Sequence, residues 1–180
     1  MTRYALLVRG INVGGKNKVV MEELRQELTD LGLEKAESYI NSGNVFFTST
    51  DTKSQLIEKL ETFFGTRYPF IQSFSLLSQE DYEAEVENLP AWWNEDLARK
   101  DVLFYTEVLD VEQVIEKVGS LKLEDEVVHF GKLGIFWGKF SEETYSKTAY
   151  HKHLLKMPFY RQITIRNAKT FDKIGQMIKK

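Results

Sequence analysis

The residues best suited to chemistry lie in one glycine-rich segment near the N-terminus, R-G-I-N-V-G-G-K-N-K at positions 9–18. Its glycines can adopt a positive φ or let backbone N–H groups approach a ligand closely. Its arginine and lysines place positive charge beside those groups, a combination that suits binding of an anion such as phosphate. The residues concerned are Arg9, Gly10, Gly14, Gly15, Lys16 and Lys18.

The elements around this segment have the order that phosphate sites use. The short apolar run Tyr4–Val8 predicts a buried strand, and a helical pattern begins at Met21. A second interpretation of the loop is purely structural: the glycines meet the geometry of a tight turn, while Asn12 and Asn17 cap neighbouring segments. The sequence leaves both interpretations open.

A P-loop is the first specific motif to consider. Residues 10–16 fit G-x-x-x-x-G-K, but Asn17 stands where the motif needs Ser or Thr to bind magnesium. The helix also starts several residues too late, and no later strand ends in an evident metal-binding Asp. These departures argue against a P-loop NTPase.

The composition is that of a globular chain with a sizeable core, because 42% of the 180 residues are apolar. There is no cysteine, which excludes disulfides, a thiolate nucleophile and zinc–cysteine sites. No apolar run reaches the length of a membrane span, and the N-terminus lacks the pattern of a signal peptide. We therefore expect a cytoplasmic protein with no membrane partner.

Charge is distributed unevenly along the chain although the net charge is only −3. Residues 78–138 carry 5 basic and 15 acidic groups, whereas residues 139–180 carry 10 and 3. This asymmetry suits complementary faces within the fold or between the protomers of a homo-oligomer, and it allows a local basic patch. The overall acidity disfavours sequence-independent binding to nucleic acid.

Hydrophobic periodicity predicts a β-α-β-β-α-β order for residues 1–77. An amphipathic helix ends at Gly32, a hairpin turns at residues 41–44, and a second helix precedes a strand over Phe70–Leu77. This is the order of a ferredoxin-like unit. Residues 78–101 then form a helical linker that contains Trp92 and Trp93, which either pack between the halves or form an exposed surface.

The second half, residues 102–180, repeats the order with one extra C-terminal helix. Its predicted elements are a strand at 102–109, a helix at 111–118, strands at 126–130 and 133–137, a helix at 143–157, a strand at 162–166 and a helix at 169–178. We predict an α+β fold of two tandem ferredoxin-like halves with antiparallel sheets, related by internal duplication. Two separate sheets and one continuous mixed sheet are both compatible with this pattern.

Two N-terminal motifs, R-G-I-N-V-G-G-K-N-K followed by M-E-E-L and Y-I-N-S-G-N-V-F-F, resemble the uncharacterised bacterial family called domain of unknown function 1697. The similarity extends to Ser146-Lys147 and to Thr164–Asn167, where the family favours Thr-Arg-Asn-Trp. Ala168 stands in place of that Trp, so a stacking role there does not carry over. The resemblance implies a duplicated ferredoxin-like fold but no defined activity.

The predicted topology brings two polar loops together. The first and third strands of such a unit are antiparallel neighbours, so the loop after strand one and the turn before strand three lie at the same end of the sheet. Arg166 and Asn167 join them as candidates because a strand there gives way to a helix N-terminus. The predicted ligand-binding residues are Arg9, Gly10, Asn12, Gly14, Gly15, Lys16, Asn17, Ser42, Asn44, Arg166 and Asn167.

These residues offer many hydrogen-bond donors and no carboxylate, which suits recognition of an anion or a nucleobase edge better than proton transfer. The alternative is a polar turn cluster that bonds to its own backbone. His151 and His153 lie two residues apart and face different sides of a helix, so no metal site and no cofactor is predicted.

Three classes of function remain open on the sequence. A binding module for a small anionic or nucleotide-like ligand comes first, because no Ser-His-Asp, Cys-His or H-E-x-x-H arrangement can be assembled. An enzyme that handles a phosphoryl or acyl group by electrostatic stabilisation is the second class, and no catalytic residue is assigned to it. An RNA-binding protein is the third.

Overall fold

The computed structural model describes residues 1–180, and its first half has the predicted order of elements. Capping boxes define two helix starts, with Thr52 and Gln55 at one helix and Ser78 and Asp81 at the next. The elements are β1 (Thr2–Val8), α1 (Met21–Asp30), β2 (Glu34–Tyr39), β3 (Asn44–Ser49), α2 (Lys53–Arg67), β4 (Phe74–Ser78) and α3 (Gln79–Glu87).

The second half follows a 3-10 turn at Ala91–Asn94 and repeats this order. Each half ends in a helix after its fourth strand, so the helix inside the predicted linker is the counterpart of the C-terminal helix. The elements are β5 (Arg99–Tyr105), α4 (Val111–Gly119), β6 (Glu126–Phe130), β7 (Gly134–Lys139), α5 (Ala149–His153), β8 (Ile163–Asn167) and α6 (Ala168–Ile178).

The predicted fold class is confirmed. Two separate four-stranded antiparallel sheets have the orders β2-β3-β1-β4 and β6-β7-β5-β8. In each half the first and third strands are the central pair, as in a ferredoxin-like unit. No strand of one half pairs with a strand of the other through a backbone hydrogen-bond ladder, so the two sheets are separate rather than one continuous sheet.

The single helix predicted over 143–157 is wrong. Thr148 has an extended backbone (φ −69°, ψ 152°), and its hydroxyl accepts a hydrogen bond from the His151 N–H at 3.1 Å, so α5 begins only at Ala149. At the other end Met157 is extended (ψ 140°), because a residue before proline avoids the helical region. Short 3-10 turns occupy the rest of this segment.

Several predicted strand boundaries also shift, most of all at β4 and β5. The strand predicted to start at Phe70 begins at Phe74, because Tyr68–Ile71 form a turn in which the Ile71 N–H donates to the Tyr68 carbonyl oxygen. The strand predicted over 102–109 spans Arg99–Tyr105, so residues 99–101 of the predicted linker belong to the second sheet and residues 106–109 lie outside it. The division into 1–77, 78–101 and 102–180 stays a prediction.

The core has three clusters that alternate with the sheets. One lies between the first sheet and α1 and α2, and one between the second sheet and α4 and α5. The central cluster joins the halves: α3 and α6 pack between the sheets, and Trp93, 3% exposed, lies among Phe104, Phe136 and Phe171. No helix is both long enough and apolar enough to cross a membrane.

The strand registers determine which loops meet at one end of the first sheet. β1 lies between β3 and β4, with Leu7 opposite Asn44 and Val8 opposite Phe74. The loop that follows β1 is therefore adjacent both to the turn before β3 and to residues 70–73 before β4.

The edges of the two sheets meet beside this end. The Ser75 hydroxyl of β4 lies 2.7 Å from the Thr164 hydroxyl of β8 and also donates to the Tyr105 carbonyl oxygen. In the second sheet Tyr105 is opposite Ile163, so β8 starts where β5 ends. The segment before β8, which contains Tyr160 and Arg161, is thereby brought next to the segment before β4.

Candidate functional site

The tip of the glycine-rich loop is a tight hairpin. The Lys16 N–H donates to the Val13 carbonyl oxygen at 3.0 Å, and the two intervening glycines have φ values of 58° and 74°. Two consecutive positive φ angles define a type I′ turn, which glycine favours. Gly14, Gly15 and Lys16 thus form an exposed turn that protrudes from the end of the sheet.

Two asparagines close the base of the loop. The side chain of Asn12 accepts from the Val19 N–H at 2.8 Å and donates to the carbonyl oxygens of Val19 and Asn41. The Asn17 amide donates to the Gly10 carbonyl oxygen at 3.0 Å. Both residues have φ values near 54°, a conformation that asparagine tolerates. Asn12 connects the loop to the turn before β3 by its hydrogen bond to Asn41, as the topology predicted. Its side-chain polar atoms are already bonded within the protein and so are not free for a ligand.

That second turn is also internally bonded. Asn44 is fully buried, and its amide donates to the Tyr39 carbonyl oxygen and the Ser42 hydroxyl, both at 3.1 Å. Gly43 has a φ of 94°, and a Cβ atom there would overlap the side chain of Val8. Close contact between β1 and the turn therefore requires glycine at this position.

Arg166 joins the two halves through this turn. Its Nε donates to the Asn44 Oδ1 at 2.6 Å, and its Nη2 donates to the Val8 carbonyl oxygen at 2.7 Å and the Ser42 carbonyl oxygen at 3.2 Å. The side chain forms no ion pair, and burial, together with the nearby positive charge of Arg9, lowers its pKa to about 10. It stays protonated at neutral pH as a buried cation.

Asn167 has a separate role at the start of α6. Its side chain accepts from the Thr170 N–H at 2.9 Å, which makes it the N-cap of that helix. It borders a different depression, lined by Arg99, Lys100, Asp101 and neighbouring residues. Asn167 therefore does not join the polar loops of the first half.

One open cleft brings part of the predicted set together with residues outside that set. We call it the Arg9 cleft; its volume is about 380 Å³. Three predicted residues line it, together with four from the segments before β4 and β8. The lining residues are Arg9, Gly10, Asn17, Phe70, Gln72, Ser73 and Arg161.

Arg9 is held in this cleft by the second half. Its guanidinium lies 4.5 Å from the centre of the Tyr160 ring, and its Nη1 donates to the Ile163 carbonyl oxygen at 3.1 Å. These contacts fix the position of the Arg9 side chain. They use one of its five N–H donors, so the other four remain free of partners in the protein. Arg9 makes no ion pair, and neither does Arg161, which is exposed.

A second buried cation, Lys139, is inaccessible. Lys139 has a fully buried side chain whose Nζ donates to Asp101 at 2.5 Å and lies 3.4 Å from the centre of the Tyr150 ring. Burial lowers the pKa of Lys139, while Asp101 opposes that shift. Because solvent does not reach the ammonium, this cluster links β5, β7 and α5 rather than forming a ligand site.

Residues 1–136 match the model of a family described as "Protein of unknown function (DUF1697)", and the chain belongs to that family. It is similar in structure to conserved bacterial protein SP0830 from Streptococcus pneumoniae, with 82% sequence identity, a TM-score of 0.97 and 98% of each chain covered. No curated protein matches the chain. The resemblance expected from the two N-terminal motifs is thereby confirmed at the level of the family.

Proposed function

We propose that the protein is a binding module for a small anionic ligand, which lies in the Arg9 cleft. The observation that carries this proposal is the presence of two guanidinium groups, from Arg9 and Arg161, in one solvent-open depression with no carboxylate in its lining. Arginine binds phosphate and carboxylate groups through paired N–H donors. An oxyanion between the two side chains would neutralise charge that the protein itself leaves unpaired.

Ser73 supports the same proposal. The residue is only 9% exposed, lines the cleft and makes no side-chain hydrogen bond within the chain. A serine hydroxyl that faces a cleft without a partner in the protein can donate a hydrogen bond to a bound anion. Arg166 adds a second layer of positive charge behind the cleft, since its repulsion with Arg9 contributes to its lowered pKa.

The lining favours binding over proton-transfer catalysis. It contains no aspartate, glutamate, histidine or lysine that could act as a general acid or base. An enzyme that relies on electrostatic stabilisation alone and a protein that binds RNA are the two alternatives. An enzyme would convert a bound phosphate ester, and 31P NMR of the incubated mixture would detect its products. An RNA-binding protein would retard single-stranded RNA with a steep salt dependence.

Substitution of either cleft arginine is expected to abolish or strongly weaken the binding of inorganic phosphate. Loss of one charge-assisted hydrogen bond corresponds to a roughly tenfold to hundredfold increase in Kd. Arg9→Met and Arg161→Met should each show this increase in isothermal titration, and each should lose the rise in Tm that phosphate gives the natural protein.

Lys16→Met is the matched control, because Lys16 is an exposed cation at the hairpin tip, outside the cleft lining. It should bind phosphate like the natural protein. A loss equal to that of Arg9→Met would instead support the glycine-rich loop as a whole, as the sequence pattern suggested, and would refute the cleft as the site. Equal binding by all variants would refute both.

A further inference from the structure

The Arg9 cleft has a wall that an oxyanion alone does not need. Phe70 belongs to the turn before β4 and is 38% exposed. Its contact with Tyr68 is edge-to-face, with ring centroids 6.1 Å apart at 67°, and leaves part of the ring in contact with solvent. Burial of such a ring against water-excluding partners is favourable, so its exposure in a cleft suits a flat apolar ligand group.

Gln72 provides a polar group two residues further along the same segment. It lines the cleft, is exposed and makes no hydrogen bond inside the protein. Its side-chain amide carries both donors and an acceptor. A planar group with donors and acceptors on its edge is therefore the natural complement to the pair of Phe70 and Gln72.

The size of the cleft agrees with a ligand larger than a bare oxyanion. Its volume of about 380 Å³ falls at the lower end of the range for small-molecule sites, roughly 300–1,000 Å³. A phosphate ion fills only a small part of that space. The cleft thus combines a cationic part, an aromatic surface and an amide within a volume suited to a ligand of mononucleotide size.

We propose that the ligand is a nucleoside monophosphate, a conclusion that rests on the anion site proposed above. Its phosphate lies between Arg9 and Arg161, its base stacks on Phe70, and Gln72 forms a hydrogen bond with the edge of the base. Stacking of a base on an aromatic side chain tolerates any base, so this arrangement selects a nucleotide over a sugar phosphate without fixing the base.

The test compares AMP and CMP with ribose 5-phosphate by isothermal titration of the natural protein and two variants. Phe70→Leu keeps an apolar side chain against Tyr68 but removes the flat aromatic face. Phe140→Leu is the matched control, because Phe140 is similarly exposed, at 46%, and lies outside the cleft lining. The natural protein should bind at least one nucleotide about tenfold or more tightly than ribose 5-phosphate.

Phe70→Leu should bring the Kd for that nucleotide close to the Kd for ribose 5-phosphate, while Phe140→Leu should change neither value. Equal Kd values for nucleotides and ribose 5-phosphate in the natural protein would overturn the base subsite and leave the anion site intact. Equal weakening of all three ligands by Phe70→Leu would also overturn it. Failure of the natural protein to bind inorganic phosphate would instead remove the anion site, and the nucleotide proposal with it.

Discussion

Arg166→Met is expected to lower the free energy of unfolding by about 3 kcal/mol. The substitution keeps an apolar stem but deprives the Asn44 Oδ1 and the Val8 carbonyl oxygen of their buried donor. Each buried polar group left unpaired costs roughly 1–3 kcal/mol. Removal of the buried cation abolishes its own desolvation cost and offsets part of this loss. Urea denaturation followed by tryptophan fluorescence measures the change.

Arg161→Met is the control for this experiment, since Arg161 is exposed and makes no hydrogen bond or ion pair inside the protein. Its unfolding midpoint should be nearly that of the natural protein. If Arg166→Met unfolded at the same urea concentration as Arg161→Met, Arg166 would not be the structural link between the halves. It would then have to be reconsidered as a group available to a ligand.

Glu126→Ala is expected to have an effect of similar size, about 3 kcal/mol. Glu126 is buried, and its carboxylate accepts hydrogen bonds from the Trp137 indole at 2.9 Å and from the backbone N–H groups of Ala149 and Tyr150 at 2.7 and 3.2 Å. Alanine removes the acceptor of these three donors and of the Glu124 N–H, at roughly 1–3 kcal/mol for each donor that stays buried and unpaired. Rearrangement at the first turn of the short α5 reduces that total.

Glu124→Ala is the matched control, because the Glu124 side chain is exposed and only backbone atoms of Glu124 bond to Glu126. Both variants can be compared by thermal unfolding and by hydrogen exchange at Ala149 and Tyr150. Faster exchange at these two amides in Glu126→Ala alone is the expected pattern. Equal Tm values for the two variants would contradict a structural role for this carboxylate.

Much of the fold could be predicted because most strands and helices have a strong local signal, although the polar strand β2 does not. The apolar run that became β1 and the Asn-Ser-Gly-Asn turn are examples, and together they predicted which loops meet at the end of the first sheet. The predicted helix over 143–157 failed because helical periodicity outweighed two local signals, the Thr148 cap and Pro158.

The candidate site was predictable only in part. The topology that places the turn before β3 beside the first loop also places the segment before β4 there. Gln72 and Ser73 could therefore have been predicted near Arg9. They were missed because the predicted strand began at Phe70 and so included them. Arg161 reaches the cleft, and Tyr160 reaches Arg9, through packing of β4 against β8. Contacts between halves depend on three-dimensional packing, which periodicity along one chain does not encode.

The division of roles among the predicted residues has a physical explanation. Asn12, Asn44 and Arg166 have their polar atoms bonded within the protein, since buried donors and acceptors need partners. Arg9 keeps most of its donors free because an aromatic ring, rather than a carboxylate, holds its guanidinium. Within one polar motif at the end of a sheet, some side chains can therefore hold the fold together while another stays available to bind a ligand.

Titration of the 15N-labelled natural protein with inorganic phosphate, followed by amide chemical shifts, tests the anion site most directly. The account predicts saturable shifts at the backbone amides of Gly10, Asn17, Ser73 and Arg161, which surround the Arg9 cleft. The amides of Gly14, Gly15 and Lys16 at the hairpin tip, and of Asn167 at the start of α6, should not move. Saturable shifts confined to these last four residues, or no saturable shifts at all, would contradict the assignment of the cleft as the anion site.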